Sequence, residues 1–466
     1  MAARRNSGRR VLLKRAPSQK PLYKALDHGH PVRLKQSDFA ATTRSGSWGT
    51  FAESFLRFNE RALQELDLSV GIVASHPEPT IQVSPGGRVG AIPLRSAQTG
   101  AVVAGFLVAP RFGWSGVGSV MSETGWAASP NFLDLPLVPG SARQIPPWVL
   151  AGPVLFRLQA LLKSLARGYV EREEMRQTPR GRILWPRYIS ESLATGAWNR
   201  LPCRFPDLRV DPDIRSYVRW AVERIRSELL RVGTEEAVGA ALISLASQLL
   251  VLLADVRPIK PRSDQLRRIN TGSPLLDGAL REGLQALSWI VDERGLGGGQ
   301  EMDGLSWQLP LESLWERFVE AKVRDEVGRE GGEISVGRLG QTVFPLQWTT
   351  NSARSMTHLT PDIVVRKGKS VRVVDAKYKA HFSDLDEHAW TQMTADIRES
   401  HRTDIHQILA YASLYDSQEI TASLVYPLRR STWESLYARK RDRARAELYH
   451  GSRCIRLELR GLPFGR

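Results

Sequence analysis

Cysteine is nearly absent: the 466 residues include 2, Cys203 and Cys454. They lie far apart and at no metal-ligand spacing, which excludes a cysteine zinc site and a disulfide framework and fits a reducing cytoplasm. Structural thiols are the expected role. No GxxxxGK[ST] loop occurs, so this chain is expected to bind and hydrolyse no nucleotide itself. The one long apolar run, Ala237 to Ala254, is interrupted by Ser244, Ser247 and Gln248 and bracketed by Glu235, Glu236 and Asp255. A buried central helix is expected there, and no membrane partner. Residues 1–20 lack an apolar core for a secretory signal. Rich in arginine and free of acids (Arg4, Arg5, Arg9, Arg10, Lys14, Arg15), they read as a disordered basic arm, and an organellar presequence also fits. The glycine run from Gly295 to Gly299 reads as a flexible connector, and no internal repeat is evident.

Acidic residues are the minority charge, 49 against 65 Lys and Arg, for a net +16. That balance is the electrostatic footprint of a protein that meets a polyanion. A second basic cluster, Arg429, Arg430, Arg439, Lys440, Arg441, Arg443 and Arg445, falls on a segment with helical character, Trp433 to Tyr449. It reads either as a surface that tracks DNA phosphates or as a solvated basic helix.

The densest chemistry lies between Pro361 and Lys377, where Pro361-Asp362 is followed at a distance by Asp375-Ala376-Lys377. Asp362 to Val365 and Val371 to Asp375 are β-branched runs joined by Arg366 to Lys369, a hairpin signature with Gly368 for the turn. Side chains alternate along a strand, so Val371, Val373, Asp375 and Lys377 share one face. Carboxylates suit a hard cation such as Mg2+, with Mn2+ as a substitute, while leaving positions for water and phosphate. A cation between Asp362, Asp375 and the Ala376 carbonyl would polarise a phosphate and acidify a bound water, and Lys377 would stabilise developing charge or steer the water. In a pocket with two aspartates this lysine is expected to stay protonated. An exposed cross-strand ion pair is the bland alternative for an Asp-x-Lys.

Upstream, Pro310 to Val323 reads as an amphipathic helix with Leu311, Leu314, Trp315, Phe318 and Val319 as its apolar stripe. Glu316 lies at the edge of that stripe, where it is either a further metal carboxylate or a solvated helix glutamate. Downstream, Thr403 to Tyr415 is read as a helix with Thr403 as its cap; Asp404, Gln407 and Tyr411 share one face, and Ile408, Ala412 and Tyr415 lie nearer the packing side. Gln407 and Tyr411, one turn apart, suit holding a phosphate or a water. Packing is the alternative for Tyr411, and surface exposure for Gln407. Trp185 and Tyr188, among Arg180, Arg182 and Arg187, read as buried core or, less in keeping with their surroundings, as a nucleic-acid stacking platform.

Helix, hairpin, helix in this order resembles the PD-(D/E)xK nuclease superfamily, and Gln407-x-x-x-Tyr411 resembles the element of its RecB-like branch. Arg180 to Ile189, Leu201 to Leu208, Leu314 to Val319 and the hairpin follow the running order of McrC-type proteins, the nuclease subunits of McrBC modification-dependent restriction systems. The resemblance spans about residues 150–430 and departs from the pattern in the amino-terminal part. It implies a cytoplasmic, metal-dependent DNA endonuclease that docks on a hexameric GTP-driven AAA+ motor. It further implies Asp362, Asp375 and Glu316 as metal ligands, Lys377 as the residue that activates or orients water, and Gln407 and Tyr411 as completing the site.

The fold class expected is multidomain α/β. A basic arm (1–45) would precede a β-rich partner- or DNA-contact domain (46–145), a helical scaffold or coupling region (146–300) and a PD-(D/E)xK nuclease domain (301–466). The competing function is a nucleic-acid-binding adaptor with a degenerate nuclease fold that regulates a partner ATPase, GTPase or helicase. The sequence favours the nuclease, because a degenerate site has no reason to keep Asp362, Asp375, Lys377, Gln407 and Tyr411 together.

Overall fold

A computed structural model of the chain describes residues 20–34, 48–73, 80–126, 128–141, 144–165, 167–210, 212–232, 237–271, 278–292, 303–348, 355–379, 382, 394–450 and 453–465. Residues 1–19 of the expected basic arm and the Gly295 to Gly299 connector lie outside these residues, whereas Leu22–Leu26 and Val32–Leu34, also assigned to that arm, form strands because they pair with strands further along the chain.

Alternating apolar residues near the amino terminus build two small sheets. Strands β1 (Leu22–Leu26), β2 (Val32–Leu34), β3 (Leu68–Val73), β4 (Thr80–Pro85), β5 (Arg88–Arg95), β6 (Val102–Ala109) and β7 (Asn131–Phe132) accompany helices α1 (Trp48–Glu65) and α2 (Gly113–Glu123). β2, β4 and β3 form one antiparallel sheet; the other has the order β1-β6-β5-β11-β7, where β11 (Trp307–Pro310) arrives from far along the chain. Trp307 pairs with Ala91 and Leu309 with Val89. The close approach needs Gly90, whose φ is +155°, since a Cβ there would lie 2.2 Å from the Trp307 carbonyl oxygen.

The middle of the chain packs helices α3 (Pro147–Ser164), α4 (Pro212–Val232), α5 (Ala237–Leu252), α6 (Ser263–Thr271) and α7 (Gly278–Val291). Val154, Leu155, Leu158, Leu161, Leu284 and Leu287 are among their buried contacts. This region is less uniformly helical than its sequence predicts. α3 stops at Ser164, and β8 (Arg167–Arg176), β9 (Arg182–Ile183) and β10 (Leu201–Val210) form a three-stranded antiparallel sheet. β8 is held by pairing along its length, from Arg167 opposite Val210 to Arg176 opposite Leu201, a long-range partner invisible to local pattern. Helix α5 is likewise only half buried: Val238, Leu242, Ala246 and Leu249 face the core, whereas Val251 is 76% and Leu252 65% exposed. Among the described residues no helix is long and apolar enough to cross a membrane.

Toward the carboxy terminus, α8 (Leu311–Glu330), β12 (Glu333–Val336), β13 (Phe344–Pro345), β14 (His358–Leu359), β15 (Ile363–Lys367), β16 (Ser370–Ala376), α9 (Ala395–Ser413), β17 (Glu419–Leu428), α10 (Arg430–Ala438), β18 (Arg443–His450) and β19 (Arg453–Pro463) follow. Six of these strands form a mixed sheet of order β12-β15-β16-β17-β19-β18, parallel from β16 through β17 to β19. Its central strands are apolar on both faces, as a sheet covered on both sides requires. Val364, Val373, Ala422 and Leu424 pack with Ile408 and Ala412 of α9 and with Tyr415 just beyond it. Ile363, Val365, Val374, Ala376 and Val425 join the core that holds Leu311, Leu314, Trp315, Phe318 and Val319 of α8. The architecture is mixed α/β with several sheets.

Candidate active site

Strand alternation fixes the site. The β15–β16 hairpin turns at Gly368, with a left-handed φ of +59°, and pairs Ile363 with Val374 and Lys367 with Ser370. Asp375 is on the face of Val373, and Asp362, just before β15, is on that of Val364; both valines pack on the α9 side. Asp375 is 1% exposed. The backbone N–H of Ala376 donates to Asp362 Oδ2 at 2.9 Å, tying the first acid to the second strand. The chain continues past β16 with the Lys377 N–H donating to the Val425 carbonyl at 2.9 Å. This holds the lysine backbone to the sheet as the strand ends.

Lys377 Nζ lies 2.8 Å from Asp375 Oδ2 and donates to Gln407 Oε1 at 2.9 Å. Gln407 Nε2 in turn donates to the Tyr411 hydroxyl at 2.9 Å. The structure therefore brings Asp362, Asp375, Ala376, Lys377, Gln407 and Tyr411 into one constellation across the hairpin and α9. Helix α9 begins two turns earlier than the sequence predicts: Thr394 is its N-cap and accepts from the Ile397 N–H, while Thr403 lies within the helix, its hydroxyl donating to the Glu399 carbonyl. The Thr394 cap lies just after a stretch outside the described residues, and the apolar pattern of α9 is weak over its first turns.

Glu316 is placed differently. Helix α8 forms because apolar residues recur at i, i+3, i+4 and i+7 after the φ-fixing Pro310, and it ends at Gly331 with φ +80°. Its stripe covers the sheet face opposite α9, leaving Glu316 at the exposed rim. There, surrounding protein raises its carboxyl above the ordinary value, and the charges of Glu312 and Asp375 add to the rise. From that rim its charge is felt at both Asp375 and Asp362, although among the described residues no three Asp, Glu, His or Cys side chains gather as a preformed metal cluster.

The electrostatics show what the pocket wants. Burial, reinforced by the charge of Asp375, pushes Asp362 up to about 8 against the opposing Ala376 N–H. Burial also raises Asp375, with Lys377 opposing. Burial pulls the Lys377 ammonium down, but Asp375, Asp404 and Asp362 outweigh it, so the lysine is held above its usual range and stays protonated. Two enclosed carboxylates face a single ammonium, a donor set that fits a hard divalent cation.

Sequence reasoning missed a surrounding layer. Lys379 Nζ donates to Asp404 Oδ1 at 2.7 Å and to Ser400 Oγ at 2.9 Å; Asp404 is 2% exposed. The signal available was the spacing of Lys377 and Lys379, two residues apart. On the other side the Tyr378 hydroxyl donates to Asp27 Oδ2 at 2.9 Å, and Asp27, at the end of β1, is fully buried. No local pattern links positions 27 and 378.

The proposed basic helix is corrected. Arg439, Lys440 and Arg441 follow α10, whereas Arg443 and Arg445 are on strand β18, where Arg445 Nε lies 3.0 Å from Glu458 Oε2. Arg443 to His450 pairs in register with Arg460 to Arg453, and that pairing decides the conformation. β18 is the sheet edge three strands from β16, about 14 Å away. The core reading of Trp185 also fails: it is 58% exposed, with Trp198 at 69%, beside a three-stranded sheet that offers no second layer to bury them.

A family model described as McrBC 5-methylcytosine restriction system component matches residues 154–427, more than half of the chain. No curated protein matches. A solved half-complex from a tetradecameric assembly of Thermococcus gammatolerans McrB AAA+ hexamers with bound McrC includes a chain of 15% identity, with 95% of this chain and 94% of that one covered at a TM-score of 0.37. The cryo-EM structure of the Thermococcus gammatolerans McrBC complex includes another at 15% identity, covering 65% of this chain and 87% of that one, with a TM-score of 0.27. On the family match, this chain belongs to the McrBC 5-methylcytosine restriction-system family.

Proposed function

We propose that this chain is the McrC-type nuclease subunit of its restriction system, a metal-dependent DNA endonuclease with a PD-(D/E)xK core. The observation that carries the reading is the convergence of Asp362, Asp375 and Lys377 with Gln407 and Tyr411 in one site, where Asp375 and Tyr411 are buried and Asp362, Lys377 and Gln407 half-buried. Asp362, Asp375 and the Ala376 carbonyl would hold Mg2+, or Mn2+ in its place. Bound there, the cation would neutralise charge on a phosphodiester and lower the pKa of a coordinated water. Glu316, whose charge reaches both aspartates from the facing helix, would be the further carboxylate for that cation.

Lys377, kept charged by its acidic neighbours, stabilises negative charge as it develops on the phosphate. Gln407 accepts one of its protons and is itself fixed by Tyr411, so the ammonium is aimed rather than free to swing. The net charge of +16 supplies long-range attraction for DNA. The T. gammatolerans assembly joins McrC to McrB AAA+ hexamers; by the same reading this chain works with an AAA+ GTPase partner, while binding no nucleotide itself.

Cleavage of supercoiled plasmid carrying 5-methylcytosine tests the reading. The purified chain, with Mg2+ or Mn2+ and with or without the AAA+ partner and nucleotide, is compared with Asp375→Ala. Metal-dependent cutting that disappears in the variant is expected. Failure to cut under every combination, with DNA binding retained, would transfer the assignment to a nucleic-acid-binding adaptor.

A further inference from the structure

A cleft of about 470 Å³ opens between the start of α2, the start of α10 and Phe464. Arg111 and Ser115 enter it from the start of α2, Arg429, Arg430 and Ser431 from the start of α10, and Phe464 from the chain's end. Among the described residues no carboxylate lines it. The acids nearest these arginines are engaged from outside the lining: Asp27 Oδ2 lies 3.4 Å from Arg111 Nε, and Glu434 accepts from Arg430 Nε at 2.8 Å. Arg429 has no ion pair among the described residues.

Two helices also present their amino-terminal turns here. Neither Phe112, which caps α2, nor Arg429, which caps α10, supplies a side-chain cap bond. The Gly113 N–H is already taken by the Pro110 carbonyl; the other first-turn amides, which no side chain caps, favour an anion, as does the positive end of each helix dipole. Arg429 supplies a charge with no ion pair among the described residues, Arg111 and Arg430 share theirs with Asp27 and Glu434, and all three offer planar forks that match phosphate oxygens.

The cleft is connected to the reacting centre. The Arg111 guanidinium stacks 4.6 Å from the centre of the Tyr378 ring, and its Nη2 donates to the Tyr378 carbonyl at 3.5 Å. Tyr378 directly follows Lys377. An anion in the cleft would therefore sit next to the strand end that carries the lysine.

We propose that this cleft is a second backbone-phosphate subsite, which grips the DNA strand beside the phosphate to be cut and is assembled from both ends of the chain. The placement rests on the nuclease reading; the binding chemistry does not. Ser115 and Ser431 hydroxyls add donors, and a lining without carboxylates among the described residues suits reading charge without reading sequence.

The test uses full-length chain carrying Asp375→Ala, which removes cutting from the measurement. Binding of a labelled duplex is followed by fluorescence anisotropy from low to moderate salt. Adding Arg429→Ala and Arg430→Ala should weaken binding roughly tenfold or more and make the slope of log K against log salt shallower by about 1 to 2, because each lost phosphate contact removes about 0.9. Arg231→Ala with Arg262→Ala, an equal charge change on the helical region, should leave the slope within error. Equal losses in both double variants would assign the effect to overall charge and overturn the proposal, as would an unchanged slope at Arg429 and Arg430. Titration with inorganic phosphate distinguishes the other source: if the Arg429/Arg430 variant loses phosphate binding yet keeps full DNA affinity, the cleft takes a free anion and the strand assignment falls. Because binding is measured without catalysis, a chain that never cuts would defeat the nuclease reading while leaving this result interpretable.

Discussion

Asp362 and Asp375 repel each other inside the fold, and their charge state governs both chemistry and stability. Asp362 is raised from 3.8 to about 8 by burial and by its neighbour, so in metal-free protein the native state holds more protons than the unfolded state across roughly that pH interval. Stability then falls as pH rises through the window, the opposite sign to a salt-bridged aspartate. Thermal melts in chelator should show a melting temperature that drops between about pH 5 and pH 8, and Mg2+ should restore it. Asp362→Asn should flatten the profile and stabilise the metal-free chain at pH 8 by about 1–4 kcal/mol. A melting temperature that climbs over the same interval would contradict the assignment of buried, mutually repelling acids. Lys377→Gln keeps a polar group of similar length but no charge; cutting should fall by about 100- to 1,000-fold while DNA affinity changes little, and a variant within a few-fold of wild type would refute charge stabilisation. Most of these residues were legible in the sequence, since alternation along two strands and helical spacing are local. The Lys379–Asp404 pair and the Asp27–Tyr378 bond were not, because each joins positions brought together only by the finished fold.

Elements decide how rigidly those groups are presented. Helix α8 anchors the sheet through Trp315, fully buried, whose indole N–H donates to the Val425 carbonyl at 3.1 Å. Trp315→Ala should cost about 3–5 kcal/mol, read from denaturant unfolding, because it opens a cavity and removes one of the two donors to the Val425 carbonyl, leaving the Lys377 N–H. A loss under about 1 kcal/mol would mean that α8 is not docked on the sheet as described. The α8 stripe and the hairpin were readable from period and turn. The true start of α9, the strand character of Arg167–Arg176 and the strand character of Arg443–His450 were not. Each of those two strands takes its conformation from a long-range partner, β10 or β19, and strongly charged sequences give little period to read.

At the scale of the molecule, the ends of the chain are built together. β11 completes the amino-terminal sheet immediately before α8, and Asp27 reaches from β1 to the residue after Lys377. A contact between the amino-terminal sheet and the candidate site is therefore part of the fold. Tyr378→Phe removes the hydroxyl donor and leaves a buried carboxylate short of one bond, which should cost about 1–3 kcal/mol. It should also lower cutting more than it lowers DNA affinity, measured as cleavage rate at saturating enzyme beside a binding isotherm. Equal rates with equal stability would show the contact to be incidental. The sequence made the mixed α/β class and the nuclease-like order readable, but it treated the amino-terminal sheet as self-contained, because nothing in residues 307–310 announces a strand for a sheet begun at residue 22.

The measurement that most directly tests the central claim is Mn2+ binding by the intact chain, followed by loss of the free-ion electron paramagnetic resonance signal, in wild type and Asp375→Ala. The account predicts a binding site in wild type that Mg2+ displaces and that disappears in the variant while the fold persists. Equal Mn2+ binding by both proteins would show that the buried pair is not the metal centre and would remove the basis for metal-dependent cutting at this site.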